Sequence, residues 1–230
     1  MPVRIFRWSI ALMLPLASTV FAQRETFSAQ VLRVPGMTPG PAAATEPDDE
    51  VDSGDLWVTD LGAGTRAKIS GQGFRSPVFT QAGDAVVAIR DESIVRIPVA
   101  GGKPQELFQL DSITKLVGYA PDGRLLLTAD DNNMVGFLAI GEGKIRWLTP
   151  DEASAEDKAT VERIRGWERT YGDAKLSVER QTAGAKHWTD VVLAERGKEP
   201  DNVSRCEGAP CGQAAFEPAK RLVVFVRGQP

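Results

Sequence analysis

From Asp55 onward the hydrophobic positions fall into short runs separated by turn residues. The runs are DLWVTDL (55–61), SPVFT (76–80), AVVAIR (85–90), IVRIPV (94–99), KLVGYA (115–120), RLLLTA (124–129), MVGFLAI (134–140) and KIRWLT (144–149). Between them lie QAGD, DES, AGGK, PDG, DDNN and GEG. Runs of this length, rich in Val, Ile, Leu and aromatics and joined by Gly, Asp and Asn, predict antiparallel hairpins. Two stretches break the pattern. DEASAEDKATVERIRGWE (151–168) is rich in Ala and Glu, spaces Val161 and Ile164 three apart and has no turn residue until Gly166, which predicts an inserted helix. PGMTPGPAAATEPDDEVDSG (35–54) has no apolar period and reads as a linker or a lid, preceded by an alternating strand-like segment, TFSAQVLRV (26–34).

The runs repeat. VFTQAGDAVVAIRD (78–91) superposes on GYAPDGRLLLTADD (118–131), with Phe79 and Tyr119 in an aromatic column and Gly83 and Gly123 in a glycine column forty residues apart. A third copy is AAFEPAKRLVVFVRG (214–228), with Phe216 in the aromatic column and Lys220 in place of the glycine. A weaker fourth is RTYGDAKLSVERQ (169–181), with Gly172 in the glycine column. The inserted helix and a cysteine loop account for the two longer intervals. A period near 40 with four short strands per unit predicts an all-β chain, a β-propeller of about four four-stranded blades, complete or truncated. The chain starts with what look like the second, third and fourth strands of a blade and ends after the first and second strands of the last unit, and propellers close by completing one blade with strands from both ends.

YAPDGRLLLTADD followed by MVGFLAIGEGKIRWLTP resembles the TolB-type repeat, and FEPAKRLVVFVR looks like the same core with its glycine lost. The resemblance covers residues 55–230. It implies a propeller that serves as a platform for another envelope or secreted protein or peptide. A six-bladed ring of that type takes roughly 240 residues at about 40 per blade, so the chain is expected to be a small or incomplete ring. TolB-type propellers are similar to the propeller domain of prolyl-oligopeptidase-like peptidases, and the alternative function is a propeller enzyme such as a calcium-dependent lactonase or a lyase with its site in the central channel. The resemblance also leaves open an N-terminal fragment of such a protein.

Met1 to Ala22 carries Arg4 and Arg7, an apolar run from Ser9 to Leu16 and the small-residue exit Val20-Phe21-Ala22. That order is the pattern of a secretory signal peptide, and Pro15 and Ser18 interrupt what a spanning helix would need. The protein is therefore expected to be periplasmic or secreted, with no membrane insertion after cleavage. Removing those two arginines takes the net charge from −4 to −6, which argues against nucleic acid as a partner. Cys206 and Cys211 are the only cysteines. In an oxidising compartment they are expected to form a short structural disulfide, four intervening residues being too many for a CxxC redox pair.

Candidate chemistry is sparse. A peptidase elbow needs G-x-S-x-G and a following histidine, and the chain has no such elbow and one histidine, His187. His187 reads either as a ligand-binding or basic group or as a histidine packed beside Trp188. No transition-metal set can be assembled from one histidine and a paired cysteine loop, so no cofactor is expected apart from possible calcium. For calcium the candidates are Asp130 and Asp131, in a DDNN segment that also suits a hairpin turn, and the linker acids Asp48, Asp49, Glu50 and Asp52. Trp57 and Trp147 alternate with polar neighbours and read as blade packing, whereas Trp167 and Trp188 are candidate binding surfaces. Asn202-Val203-Ser204 matches a glycosylation sequon, meaningful only in a eukaryotic secretory route. Cleavage after Ala22 predicts that N-terminal sequencing of the exported protein begins at Gln23; a protein retaining Met1 outside the cytoplasm would contradict it.

Overall fold

The computed structural model describes residues 51–109, 115–129, 134–148, 153–167 and 170–229, with backbone alone for 163–167. The signal segment, the linker up to residue 50 and Asp130 and Asp131 lie outside the described residues.

Among the described residues lie fifteen strands and one α-helix. The strands are β1 (Gly54–Asp60), β2 (Thr65–Phe79), β3 (Ala85–Arg90), β4 (Ser93–Pro98), β5 (Gln105–Gln109), β6 (Lys115–Tyr119), β7 (Leu125–Thr128), β8 (Val135–Ala139) and β9 (Lys144–Leu148). The helix α1 (Ala155–Trp167) precedes β10 (Thr170–Tyr171), β11 (Ala174–Ala183), β12 (Lys186–Glu195), β13 (Asp201–Asn202), β14 (Cys211–Glu217) and β15 (Leu222–Arg227). All described pairings are antiparallel, in sheets ordered β14-β15-β1-β2-β3-β4-β5, β6-β7-β8-β9 and β10-β11-β12-β13.

The seven-stranded sheet is two blades sharing one long strand. Residues 65–70 of β2 pair with β1, and residues 74–79 pair with β3. Blade I is thus β14-β15-β1 and the first half of β2, and blade II is the second half of β2 with β3, β4 and β5. Blade III is β6–β9 and blade IV is β10–β13. This is a propeller arrangement of four four-stranded blades, and blade I takes two strands from each side of the sequence.

Why the strands are nearly continuous in apolar residues follows from the packing. In β3, Val86 and Ala88 enter the cluster shared with blade I, while Val87 and Ile89 enter the cluster shared with blade III. In β15, Leu222, Val224 and Val226 face blade II, and Val223 and Phe225 face blade IV. Alternating side chains point to opposite faces, so a strand buried on both faces has no polar phase. The repeat aromatics close each first strand: Phe79, Tyr119 and Phe216 lie in three successive inter-blade clusters. Tyr171 packs into the same cluster as Phe216 and meets it edge to face, centroids 5.6 Å apart. The turns after them need a left-handed residue, supplied by Gly83 and Gly123 at φ 60° and 87°. In the third copy Arg221, at φ 57°, takes that conformation in place of the lost glycine.

The helix fills the place next to blade III. Val161 packs with Leu126, Val135, Phe137 and Leu148, and α1 touches both β6 and β10. Ser154 caps it: its hydroxyl accepts the Asp157 N–H at 3.1 Å and donates to the Asp157 carboxylate at 2.9 Å. Arg146 of β9 then pairs with Asp157 at 2.5 Å, tying the helix to its blade.

Gly54 marks the tightest approach in blade I, since a Cβ there would lie 2.1 Å from the Arg227 carbonyl oxygen. Gly54→Ala is therefore expected to force β1 from β15 and lower stability by about 3 kcal/mol or more, overpacking against backbone being hard to relax. Urea denaturation tests it, with Gly71→Ala, where no atom lies within 4 Å, as a control that should leave the midpoint in place.

Candidate functional site

Blades IV and I meet along a seam that leaves a polar groove of about 320 Å³, lined by the β1–β2 turn on one side and by β13 and the residues after it on the other. The first wall forms because the side chain of Asp60 turns the chain: Oδ1 accepts the Gly62 and Ala63 N–H groups, each at 2.9 Å. Arg66 follows on β2. The second wall carries Asp201, Asn202, Val203 and Arg205. Thr59 donates to the Val203 carbonyl at 2.7 Å, and Arg66 Nη1 donates to the Arg205 carbonyl at 2.8 Å. Two acids and two arginines thus line one opening.

Asp190 holds the second wall from behind. Its Oδ1 accepts the Cys206 N–H at 2.6 Å and the Ser204 hydroxyl at 2.9 Å. Its Oδ2 accepts the Asn202 amide at 2.9 Å and the Trp188 indole N–H at 3.0 Å. Only 2% of Asp190 is exposed. Burial pushes its carboxyl up, but these donors favour the charged form and hold it below the usual carboxylate range. Cys206 and Cys211 form a disulfide, and both are fully buried. Cys211 opens β14 and exchanges two hydrogen bonds with the Thr189 hydroxyl, at 2.8 and 3.0 Å. Arg227 donates to the Cys206 carbonyl at 3.1 Å and, with Arg66, lies over the Trp57 ring, at 5.5 and 5.7 Å from its centroid.

At the end of the seam Arg221, in the β14–β15 turn, grips Glu195 of β12 through two bonds of 2.5 and 3.0 Å. Those bonds, with Lys198 adding another at 2.9 Å, bring the Glu195 carboxyl down to about 2.

His187 and Trp188 are neighbours on β12 and point to opposite faces of it. His187 is exposed on the outer part of the β11–β12 hairpin, 3.2 Å from the Thr182 hydroxyl through Nδ1. Trp188 is half-buried against the cluster between blades IV and I. Trp167 is the last residue of α1. Asp130 and Asp131 are outside the described residues, among which no group of three or more His, Cys, Asp or Glu side chains could hold a metal ion. Asp60, Arg66, Asp201 and Arg205 are not among the candidate residues of the sequence, and Asp190 figures there only as a neighbour of His187. The sequon was the one available signal, and its residues serve the fold: Asn202 and the fully buried Ser204 both bind Asp190.

No protein-family model and no curated protein matches the chain. Solved structures similar to it include a putative TolB from Agrobacterium tumefaciens, at 12% identity and a TM-score of 0.37 over 76% of this chain and 61% of that one. TolB from Acinetobacter baumannii matches at 15% identity and 0.36 over 75% and 48%. A catalytically inactive virginiamycin B lyase from Staphylococcus aureus with quinupristin matches at 12% and 0.32 over 75% and 62%. The chain spans less than two thirds of each of these. The propeller assignment rests on the strand pairing and the alternation of buried faces described above.

A depressed carboxylate contributes stability that is complete above its unfolded value and disappears as pH falls through its folded value. For the Glu195–Arg221 pair the window runs from about 4.5 down to about 2. Arg221→Gln is expected to lower stability by a constant amount above that window, with the difference from the native protein vanishing toward its lower end. Urea midpoints across pH 2–7 measure it; a difference that persists unchanged at the acid end would contradict the assignment.

Proposed function

We propose that this chain is an exported propeller protein that binds another protein or a peptide, without catalysis, in the groove between blades IV and I. The observation that supports this most is the groove itself: an opening between two blades whose floor and walls are fixed by backbone-directed hydrogen bonds, with charged side chains left at its mouth. Arg205 and Asp201 have side chains 69% and 59% exposed and lie 3.9 Å apart. Such a weak surface pair contributes little to stability, so both groups are available to a partner's charges and amides. Rigid scaffolds commonly gather partners on the loops at the ends of their elements. Alternating charges suit an extended peptide or a polar protein surface better than a nucleic acid, and the net charge of −6 left once residues 1–22 are removed agrees with that.

Export is part of the same reading. It is supported by the signal-like first 22 residues and by the disulfide, which belongs to an oxidising compartment. No helix among the described residues is long and apolar enough to cross a membrane.

The reading is tested by affinity capture from a native envelope extract, using the exported protein as bait beside the charge-reversed double variant Asp201→Lys and Arg205→Glu. The variant is expected to retain the native thermal midpoint and to recover at least tenfold less of a specifically bound partner. A third bait, Glu106→Lys on β5, should capture as the native protein does. Equal capture by the native and groove-reversed proteins would remove the groove from the proposal.

A further inference from the structure

The backbone beside the disulfide departs from what L-residues prefer. Arg205 and Glu207, which flank Cys206, adopt φ 44° and 46°, and Gly208 adopts 98°. Glycine takes this region freely, whereas arginine and glutamate enter it at a cost and stay only when the surroundings hold them. Here the holding groups are identifiable. Cys206 is bonded to Cys211, and Cys211 is fixed to Thr189 and begins β14. Asp190 takes the Cys206 N–H, and Arg227 takes its carbonyl. Arg205 carries a groove wall on its side chain and accepts Arg66 on its carbonyl.

We infer that the Cys206–Cys211 disulfide is a redox lock on the groove: the wall from Asp201 to Arg205 is held in its described form only while the bond is oxidised. The strain at positions 205 and 207 is the driving force for release, and the covalent bond is what keeps it loaded. The reaction is thiol–disulfide exchange with a dithiol. One thiolate of the dithiol attacks a cysteine sulfur and expels the other as a thiolate, and the second thiol of the dithiol then displaces the first cysteine. The protein gains two electrons and two protons as two thiols, and the dithiol becomes a disulfide. Because both cysteines are fully buried, attack follows opening of the 205–211 loop. The closed loop is short, sequence separation 5, so its reduction removes little chain-entropy stabilisation from the molecule as a whole. Release is consequently local. The inference rests on the proposed function for its meaning, but not for its test, which reads the loop itself and leaves partner capture as a separate result.

Three amides report on the wall: Val203 donates to the Val191 carbonyl, Arg205 to Asn202 Oδ1 and Cys206 to Asp190 Oδ1. Hydrogen exchange of the full exported chain is measured oxidised and after dithiothreitol, with intact mass confirming two thiols. Reduction is expected to speed exchange at these amides at least tenfold while those of β3 and β7 stay within twofold. Unchanged exchange in a protein shown to be reduced overturns the lock, and so does an equal rise at β3 and β7, which would mean global unfolding. The double variant Cys206→Ser and Cys211→Ser should match the reduced native protein; if it does not fold, local release is refuted by that fact. Glu207→Gly, which removes one left-handed penalty, is expected to slow exchange at Cys206 in the reduced protein, and an unchanged rate there rules out strain as the driving force.

Discussion

The pairing of β15 with β1 is the interaction on which the rest of the molecule depends. It joins Asp55 to Arg227 and, five rungs on, Asp60 to Leu222, strands separated by nearly the whole described chain. Without it blade I is two unrelated hairpins, and the clusters on both its faces lose one wall. Long-range pairing of this kind carries a loop-closure cost that only the burial it permits can offset. Here the burial is extensive, because β15 contributes alternate residues to the clusters with blade II and with blade IV.

The inter-blade contacts are not equivalent. Blades II and III meet through a cluster of Val, Ile and Leu, with Gln81 reaching from one turn to the Ala120 carbonyl of the next at 2.7 Å. Blades IV and I add to their cluster a series of buried polar ties, namely Thr59 to Val203, Thr189 to Cys211 and Asp190 to the segment 202–206. Buried polar groups that are fully paired specify one arrangement, because every alternative leaves one of them without a partner. Among the described residues, the seam that carries these ties is also the one that holds the groove. Its rigidity and its availability to a partner have one origin: loops bonded to backbone groups do not collapse into the opening.

Much of the fold was legible. The apolar runs mark β3 residue for residue and β4, β6, β7, β8 and β9 to within a residue at each end. They are legible because strands buried on both faces carry no polar phase and stop at turn residues. The first half of β2, TRAKIS, escaped notice, since its side chains are largely exposed and its apolar content is low. β5, QELFQ, escaped for the same reason, as the outer strand of its blade. The fourth repeat looked weak because its turn is shortened to Gly172 and Asp173, which moves Tyr171 out of the column that Phe79 and Tyr119 define. The groove was not legible at all. Asp60 and Arg66 are separated from Asp201 and Arg205 by well over a hundred residues, and each looks like an ordinary turn or surface charge in its own segment.

By itself the sequence determined the all-β class, the period near 40, the inserted helix and the nearness of the two cysteines, all properties that residues express against their immediate neighbours. Only the tertiary structure decided that β2 serves two blades, that Arg221 stands in for a missing glycine, that Asp190 organises the segment after β13, and that two distant turns face each other across a groove. Alternation and turn chemistry act over a few residues. Hydrogen bonds and ion pairs between blades depend on where the closed chain places groups that no local pattern connects.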